Sequence, residues 1–151
     1  MAGIQDRTTH ETLKAFRARK VLTIEELATL LRSSLPTARR RLKAWNAFTS
    51  YNKNGRYYVL PSVPTFDSSG LWRYRDIGFS RYGNLTETLI ALVGNSPAGL
   101  SAAELGRLLG MEPRSFLWLF RNHPALTREK HHGRLVYFAA ESVLYHRQRD
   151  G

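Results

Sequence analysis

The chain contains a long internal repeat, and no other feature limits its possible folds as strongly. Residues 22–60 and 100–138 align at a constant offset of 78 without a gap. The identical pairs include Leu22/Leu100, Glu26/Glu104, Leu27/Leu105, Leu30/Leu108, Leu31/Leu109, Gly55/Gly133 and Arg56/Arg134. Self-similarity at a fixed spacing indicates a duplicated structural unit. The sequence therefore predicts two small modules in preference to one larger α+β domain.

Each copy begins with a recognisable helix start. Thr23 and Glu26 have the Thr-x-x-Glu spacing of a capping box, and Ser101 and Glu104 repeat it in the second copy. The buried face of this helix is predicted to comprise Leu27, Leu30 and Leu31. Upstream, residues 1–8 are predicted to be a loose tail and residues 9–19 a first helix, with Leu13 and Phe16 pointing inward.

A third, strongly basic helix is predicted over residues 35–45. Ser34 can cap its N-terminus and Pro36 suits its first turn. The spacing of Ala38, Leu42 and Trp45 places them on one inward face. The remaining front carries Thr37, Arg39, Arg40, Arg41 and Lys43. A helix with a thin apolar stripe and a cationic front is suited to the DNA major groove, where arginine can contact guanine with two hydrogen bonds.

A hairpin is predicted after the basic helix, because two aromatic and β-branched runs flank Asn54-Gly55. This dipeptide is typical of a type I′ turn. Lys53 and Arg56 would then lie at the hairpin tip, where a wing can contact the DNA backbone.

The net charge of +11 is concentrated in the first copy. Residues 1–60 carry 12 Lys and Arg against 4 Asp and Glu, whereas residues 83–151 carry 8 against 6. No acidic residue occurs between Glu26 and Asp67, so the basic helix has no compensating charge nearby in sequence. An excess of this kind indicates a polyanionic partner, usually nucleic acid.

Residues 61–84 join the two copies and are rich in aromatic residues. We expect this segment to pack between the modules. The alternative is that Arg73, Arg75 and Arg81, which alternate with aromatic residues, contact a nucleic-acid backbone. A last short helix is predicted over residues 140–148, with Val143 and Leu144 docking on the second module or on a partner chain.

The second copy lacks the cationic front. The alignment predicts a third helix of this copy over residues 113–123. At the offset of 78, Arg39, Arg40 and Arg41 correspond to Leu117, Trp118 and Leu119. Phe116 and Phe120 take the inward positions, which leaves these three residues to form an apolar outer face that is normally covered. The second module is therefore predicted to be a scaffold or a self-association unit, unless the joining segment covers this face. A dimer would also suit paired DNA half-sites.

These motifs resemble the tandem winged helix-turn-helix DNA-binding proteins of bacteria and archaea. The resemblance lies in TIEELATLL, SSLPTARRRLKAW and NGRYYVL in the first copy, and in SAAELGRLLG, EPRSFLWLF and GRLVYF in the second. It implies a mainly α fold with small β-hairpin wings (α+β) that forms two tandem winged helix-turn-helix modules. The implied organisation is module one over 1–60, an aromatic linker over 61–84, module two over 85–138, and a C-terminal helix and tail over 139–151.

The resemblance also implies which residues bind double-stranded DNA. Helix 35–45 would enter the major groove, with the wing on the backbone. The DNA-binding residues are then Ser34, Thr37, Arg39, Arg40, Arg41, Lys43, Lys53, Asn54 and Arg56. Further backbone contacts are expected from Arg73, Arg75, Arg114, Lys130 and Arg134. The expected protein interface, for a second copy or another partner, comprises Leu117, Trp118 and Leu119.

The sequence contains no catalytic or cofactor-binding motif such as a glycine-rich phosphate loop, H-E-x-x-H or G-x-S-x-G. We expect no enzyme activity, cofactor, metal site or membrane partner, and a cytoplasmic, nucleoid-associated location. The adjacent His131 and His132 are interpreted as a solvated or phosphate-contacting turn. The leading functional hypothesis is a transcriptional regulator. The alternatives are a DNA-binding accessory subunit of a mobile-element or defence complex, and a protein-interaction adaptor. Duplex DNA is preferred to RNA because the basic element is a helix.

Overall fold

The computed structural model describes the backbone of residues 4–150 and the side chains of residues 7–150. The chain forms two compact units, of which the first ends at Asn84 and the second begins at Leu85. Both units combine helices with small antiparallel sheets, which confirms the predicted α+β class.

The first unit contains three helices and five strands. They are α1 (Ile4–Arg19), β1 (Val21–Thr23), α2 (Ile24–Leu31), α3 (Leu35–Ala44), β2 (Phe48–Thr49), β3 (Tyr57–Val59), β4 (Leu71–Tyr74) and β5 (Ile77–Ser80). The first three strands form an antiparallel sheet in the order β1-β3-β2, and the last two form a hairpin. Helix α1 begins at Ile4, so the prediction of a loose tail over 1–8 is wrong for residues 4–8. Residues 1–3 of that predicted tail lie outside the described residues.

Helix α2 begins with a capping box and is followed by a residue in the left-handed conformation. The Thr23 hydroxyl accepts a hydrogen bond from the Glu26 backbone N–H, and the Glu26 carboxylate accepts one from the Thr23 N–H, at 3.2 and 2.9 Å. This reciprocal pair confirms the predicted capping box. The helix ends at Arg32, whose backbone is left-handed. The sharp turn that follows leads directly into α3.

The three helices of the first unit enclose one apolar core. Phe16 of α1, Leu27 of α2, and Ala38 and Leu42 of α3 are buried together, and Leu22 of β1 joins them. The predicted inward faces of these helices are confirmed at these positions. Helix α3 is thereby fixed along one side, and its opposite side is left to solvent.

The hairpin β4–β5 packs against the three-stranded sheet of the same unit. Val59 of β3 forms a second buried cluster with Ile77 and Phe79 of β5. Residues 61–84 are therefore part of the first compact unit. The prediction that they also pack against the second module stays a prediction.

The loop between β2 and β3 is held by this hairpin. The Tyr51 N–H donates to the Gly78 carbonyl at 2.9 Å, and the Asn52 amide both accepts from the Gly78 N–H and donates to the Asp76 carbonyl. The loop contains a 3₁₀ turn at Lys53–Gly55. The predicted two-residue type I′ turn at Asn54-Gly55 is therefore wrong, because the pairing with β5 holds this loop open.

The second unit repeats the order of the first. Its elements are α4 (Leu85–Asn95), β6 (Leu100–Ser101), α5 (Ala102–Leu109), two 3₁₀ turns (Pro113–Ser115 and Leu117–Phe120), β7 (Leu126–His131), β8 (Arg134–Ala139) and α6 (Ser142–Asp150). The sheet order β6-β8-β7 corresponds to β1-β3-β2. Ser101 and Glu104 form the predicted second capping box. Gly110 ends α5 in the left-handed conformation that Arg32 adopts at the end of α2.

The constant offset of 78 does not extend through the strands. In the first sheet Leu22 lies opposite Tyr58, whereas in the second sheet Leu100 lies opposite Tyr137. Tyr137 is 79 residues beyond Tyr58, so the second copy contains one additional residue before its last strand. The identity of Gly55 with Gly133 is consequently not a structural equivalence.

The predicted third helix of the second unit is also wrong. Residues 113–115 and 117–120 form two short 3₁₀ turns, separated at Phe116 by a backbone with φ −138°. Large aromatic residues and serine are weak helix formers, and this stretch contains four of them. Burial of Phe116 and Phe120 is nevertheless confirmed.

The C-terminal helix spans Ser142–Asp150 rather than 140–148. Val143 is exposed, so the predicted docking through this side chain is not present within the second unit. The docking residue is Gln148, which is only 1% exposed. Its amide bonds the Ala139 N–H at the end of β8 and the Val93 and Ser96 carbonyls at the end of α4.

Candidate nucleic-acid interface

Helix α3 is a rigid ten-residue element with a capped start. The Ser34 hydroxyl accepts a hydrogen bond from the Thr37 N–H at 3.3 Å, and Pro36 lies in the first turn, as predicted. Ala38 and Leu42 fix its inner face in the core. The orientation of the outer side chains is therefore set by packing over the length of the helix.

The outer face of α3 carries four cations. Arg39, Arg40 and Lys43 are exposed, and Arg41 is half-buried. Arg40 donates from Nη2 to the Thr37 hydroxyl at 3.0 Å, and the Ser34 hydroxyl donates to the same oxygen at 3.1 Å. This chain of hydrogen bonds holds one guanidinium beside the helix start.

The charges on α3 are uncompensated. In the part of the chain from residue 7 to residue 150, no carboxylate lies within 4.0 Å of the charged nitrogens of these four residues. Arg39 and Lys43 also line a shallow groove of about 210 Å³, whose other side includes Thr49 and Tyr58 of the adjoining sheet. This face therefore presents a strong, ordered positive field to solvent.

The β2–β3 loop contributes fewer unpaired cations than the sequence predicts. Lys53 donates to the Asp76 carboxylate at 2.8 Å. This hydrogen bond raises the pKa of Lys53 and lowers the pKa of Asp76, so both groups are charged at neutral pH. Asn54, with φ 58°, and Arg56 are exposed. Arg56 is thus the cation of this loop that the structure leaves to solvent.

The hairpin β4–β5 carries the other cations predicted for the first unit. Arg73 and Arg75 are exposed, and Arg75 lies at the hairpin turn. The sequence gives no sign that Lys20 belongs with them, yet its ammonium lies over the Tyr74 ring, as does the Arg75 guanidinium.

The second unit presents an apolar pair where α3 carries arginines. Trp118 is 61% exposed and Leu119 55%, whereas Leu117 is buried at 7%. The prediction that Leu117 lies on the outer face is therefore wrong, because the 3₁₀ turn directs this side chain into the unit. Within this 3₁₀ turn, Trp118 and Leu119 are the exposed apolar side chains.

The cations predicted in the second unit are dispersed. Arg114, Lys130 and Arg134 are all exposed, on different elements. Near them, Glu129 accepts hydrogen bonds from the Tyr145 hydroxyl and from His131 Nε2. The Tyr145 hydrogen bond is the main reason that the pKa of Glu129 is lowered. A local carboxylate thus offsets part of the positive charge of the β7–β8 hairpin.

No metal site or membrane-spanning element is found where the structure describes the chain. Among those residues no three His, Asp or Glu side chains converge in a way that would hold an ion. Their helices are likewise too short or too polar to cross a lipid bilayer.

Comparison with known proteins adds no identification. No protein-family model, curated protein sequence or solved structure matches the chain.

Proposed function

We propose that the chain is a sequence-specific double-stranded DNA-binding protein, and that it acts as a transcriptional regulator. In this proposal each unit is a winged helix-turn-helix module, α3 is the recognition helix of the first, and the β2–β3 loop is its wing. The first unit reads DNA, and the second serves as a scaffold.

The order of elements supports this assignment. Both units begin with a helix, a short strand, a second helix, a third helical segment and two strands. The third segment is α3 in the first unit and two 3₁₀ turns in the second. The first strand pairs with the second of the two later strands, β1 with β3 and β6 with β8. In a winged helix-turn-helix, this arrangement places the third helical element on the surface beside the wing.

The observation that carries the proposal is the uncompensated cationic face of α3. A helix with its side chains is about 10–12 Å across, and the major groove is about 12 Å wide. The face offers Arg39, Arg40, Arg41 and Lys43 with no carboxylate partner among the described residues. A merely solvated helix face would be expected to mix both signs of charge.

The arginines are expected to divide between two roles. Those that reach base edges give sequence preference, at about 1–3 kcal/mol for each bidentate pair. Those that contact phosphates give an affinity that falls with salt. Each such contact contributes about −0.9 to the slope of log K against log salt.

The test is selection from a randomised duplex pool at two salt concentrations. The proteins compared are the wild type, the triple variant Arg39→Ala/Arg40→Ala/Arg41→Ala, and a charge-matched control. The control is Arg107→Ala/Arg128→Ala/Arg147→Ala, which removes three exposed cations from the second unit. Circular dichroism establishes that each variant is folded.

We expect the wild type and the control to enrich one sequence and the triple variant to lose that enrichment. Salt-sensitive binding without sequence preference would contradict the regulator assignment. Absence of wild-type binding, with the fold intact, would contradict DNA binding altogether and leave the adaptor hypothesis.

One observation favours a second candidate function, that of a DNA-binding accessory subunit. The adjacent Trp118 and Leu119 are largely exposed on the unit that lacks a cationic face. In this alternative the first unit holds DNA and the second holds a protein of a mobile-element or defence complex.

Light scattering at tens of micromolar tests the simplest version, a homodimer formed through Trp118 and Leu119. A monomer would exclude it, and loss of a dimer in Trp118→Ser would support it.

A further inference from the structure

We propose a second DNA-backbone contact on the first unit, formed by Lys20 and Arg75 around the ring of Tyr74. We call this group, together with Trp72, the Tyr74 cluster. Its ligand is the phosphate backbone of a DNA duplex. The inference rests on the proposed function and adds a contact surface outside α3 and the β2–β3 loop.

The ring of Tyr74 organises two cations from distant parts of the chain. Lys20 Nζ lies 5.8 Å from its centroid and Arg75 Cζ 5.3 Å. Cation–π attraction operates over such distances. Unlike a salt bridge, it orients a cation without cancelling its charge. The two charges therefore remain available to an anion.

The backbone at both cations is unusual. Lys20 has φ 71° and Arg75 has φ 58°, in the left-handed region that glycine adopts most readily. Lys20 follows the last turn of α1, where its N–H donates to the Phe16 carbonyl, and Arg75 occupies the two-residue turn of the hairpin. Glycine is common at such positions. Strained residues cluster at functional sites, and here both place a cation on the same ring.

Neither cation has an acidic partner within ion-pair distance in the described part of the chain. The nearby carboxylate, Asp76, is engaged by Lys53 at 2.8 Å. The hairpin turn and the adjoining loop consequently keep an excess of positive charge, and hydrogen bonds from Asn52 to Asp76 and Gly78 hold the two segments together.

The environment of the ring favours phosphate over a stacked base. Trp72 stacks on Tyr74 with centroids 6.0 Å apart and planes 19° apart. Lys20 and Arg75 occupy further space over the ring. A single-stranded base would need an open aromatic face, whereas a duplex phosphate needs only the cations.

The test measures duplex affinity as a function of salt for two double variants. Lys20→Gly/Arg75→Gly removes both charges and suits the left-handed backbone. Lys20→Gln/Arg75→Gln removes the charges but retains side-chain length. The matched control is Arg107→Gln/Arg147→Gln, two exposed cations of the second unit.

In both test variants the slope of log K against log salt should become less negative by about 1.8, which corresponds to the loss of two phosphate contacts. The ratio of wild-type to variant affinity then falls about tenfold when salt rises fourfold. Preference for a selected site over a scrambled one stays unchanged, since phosphate contacts carry no sequence information. The control should keep the wild-type slope.

Failure of this inference is distinguishable from failure of the proposed function. If the wild type binds no duplex, the proposed function fails and the contact fails with it. If the wild type binds and both test variants retain its slope, or if the control loses as much, this contact is wrong while the proposed function stands. If the two test variants bind a single-stranded oligonucleotide more weakly than the wild type but bind the duplex equally well, the duplex assignment is overturned.

Discussion

Replacing Gln148 by leucine should strongly destabilise the second unit. Gln148 is the one buried polar side chain of α6 among the described residues, and it connects that helix to both β8 and α4. Leucine has similar bulk but cannot donate or accept a hydrogen bond. The substitution therefore tests whether the polar contact, rather than apolar packing, attaches α6.

The magnitude follows from the partners left behind. The Ala139 N–H loses its 2.9 Å acceptor, and a buried orphan donor costs about 1–3 kcal/mol. The Ser96 carbonyl loses a 2.9 Å donor, worth about 1 kcal/mol. The Val93 carbonyl is less affected, because it retains donors from the Ser96 N–H and hydroxyl. The expected loss is about 2–4 kcal/mol.

Such a loss is large for a unit of this size. At about 0.05–0.15 kcal/mol per residue, residues 85–151 hold about 3–10 kcal/mol of stability. The corresponding fall in Tm is about 10–25 °C. The measurement combines calorimetry with amide hydrogen exchange, in which the Ala139 amide should lose protection. Arg147→Leu, one residue earlier and exposed, is the matched control and should stay within about 0.5 kcal/mol of wild type.

A second variant separates the donor and acceptor roles. Gln148→Glu keeps an acceptor for Ala139 but turns a buried carboxylate toward two carbonyls. Burial would raise its folded pKa above the unfolded value of about 4.3. The variant is then least destabilised below about pH 4, and its destabilisation grows as pH rises through the folded pKa.

A wild-type Tm in Gln148→Leu, with the Ala139 amide still protected, would refute the reasoning.

Three further predictions concern other contacts. Gly78→Ala should destabilise the first unit by about 1–3 kcal/mol, because the added methyl would overlap the Tyr51 ring, and a thermal melt will show it. Thr23→Ala should cost about 1 kcal/mol in chemical denaturation through loss of the α2 cap, and an unchanged midpoint would contradict the capping assignment. Glu129→Gln should lower Tm at neutral pH. The folded pKa of Glu129 is lowered, mainly by Tyr145, so its stabilisation is present above the unfolded pKa and lost as pH falls through the folded pKa. The Tm difference should therefore vanish in acid, well below about pH 4.

The helix starts of both units were predictable because their causes are local. A capping box needs two residues three positions apart, and Thr23/Glu26 and Ser101/Glu104 meet this requirement whatever surrounds them. The inward face of α3 followed from spacing alone for the same reason. Sequence reasoning therefore identified the cationic face of α3 with its supporting residues.

The conformation of the β2–β3 loop was not predictable, since a distant segment determines it. Asn54-Gly55 favours a tight turn locally, but Tyr51 and Asn52 bond to Gly78, more than twenty residues away. The ion pair of Lys53 with Asp76 has the same origin. In the second unit, where no such hairpin intervenes, β7 and β8 are joined by the two residues His132 and Gly133.

The gapless alignment of the two copies led to two wrong predictions about the second copy. The pair Gly55/Gly133 suggested one gapless alignment, although the strand registers require an additional residue in the second copy. Likewise, alignment with α3 predicted a helix over residues 113–123, where Pro113–Ser115 and Leu117–Phe120 form 3₁₀ turns. A sequence alignment pairs residues by similarity and does not take their backbone preferences into account.

The dependence of the first sheet on β4–β5 sets the smallest piece of the first unit that can fold by itself. A fragment cut after Leu60, where the repeated pattern ends, would expose Val59 to water and leave the amide of Asn52 without its backbone partners. A fragment ending at Asn84 keeps that cover. Limited proteolysis should accordingly release a resistant piece that ends near Asn84, beyond the end of the repeated pattern at Leu60 by the length of segment 61–84.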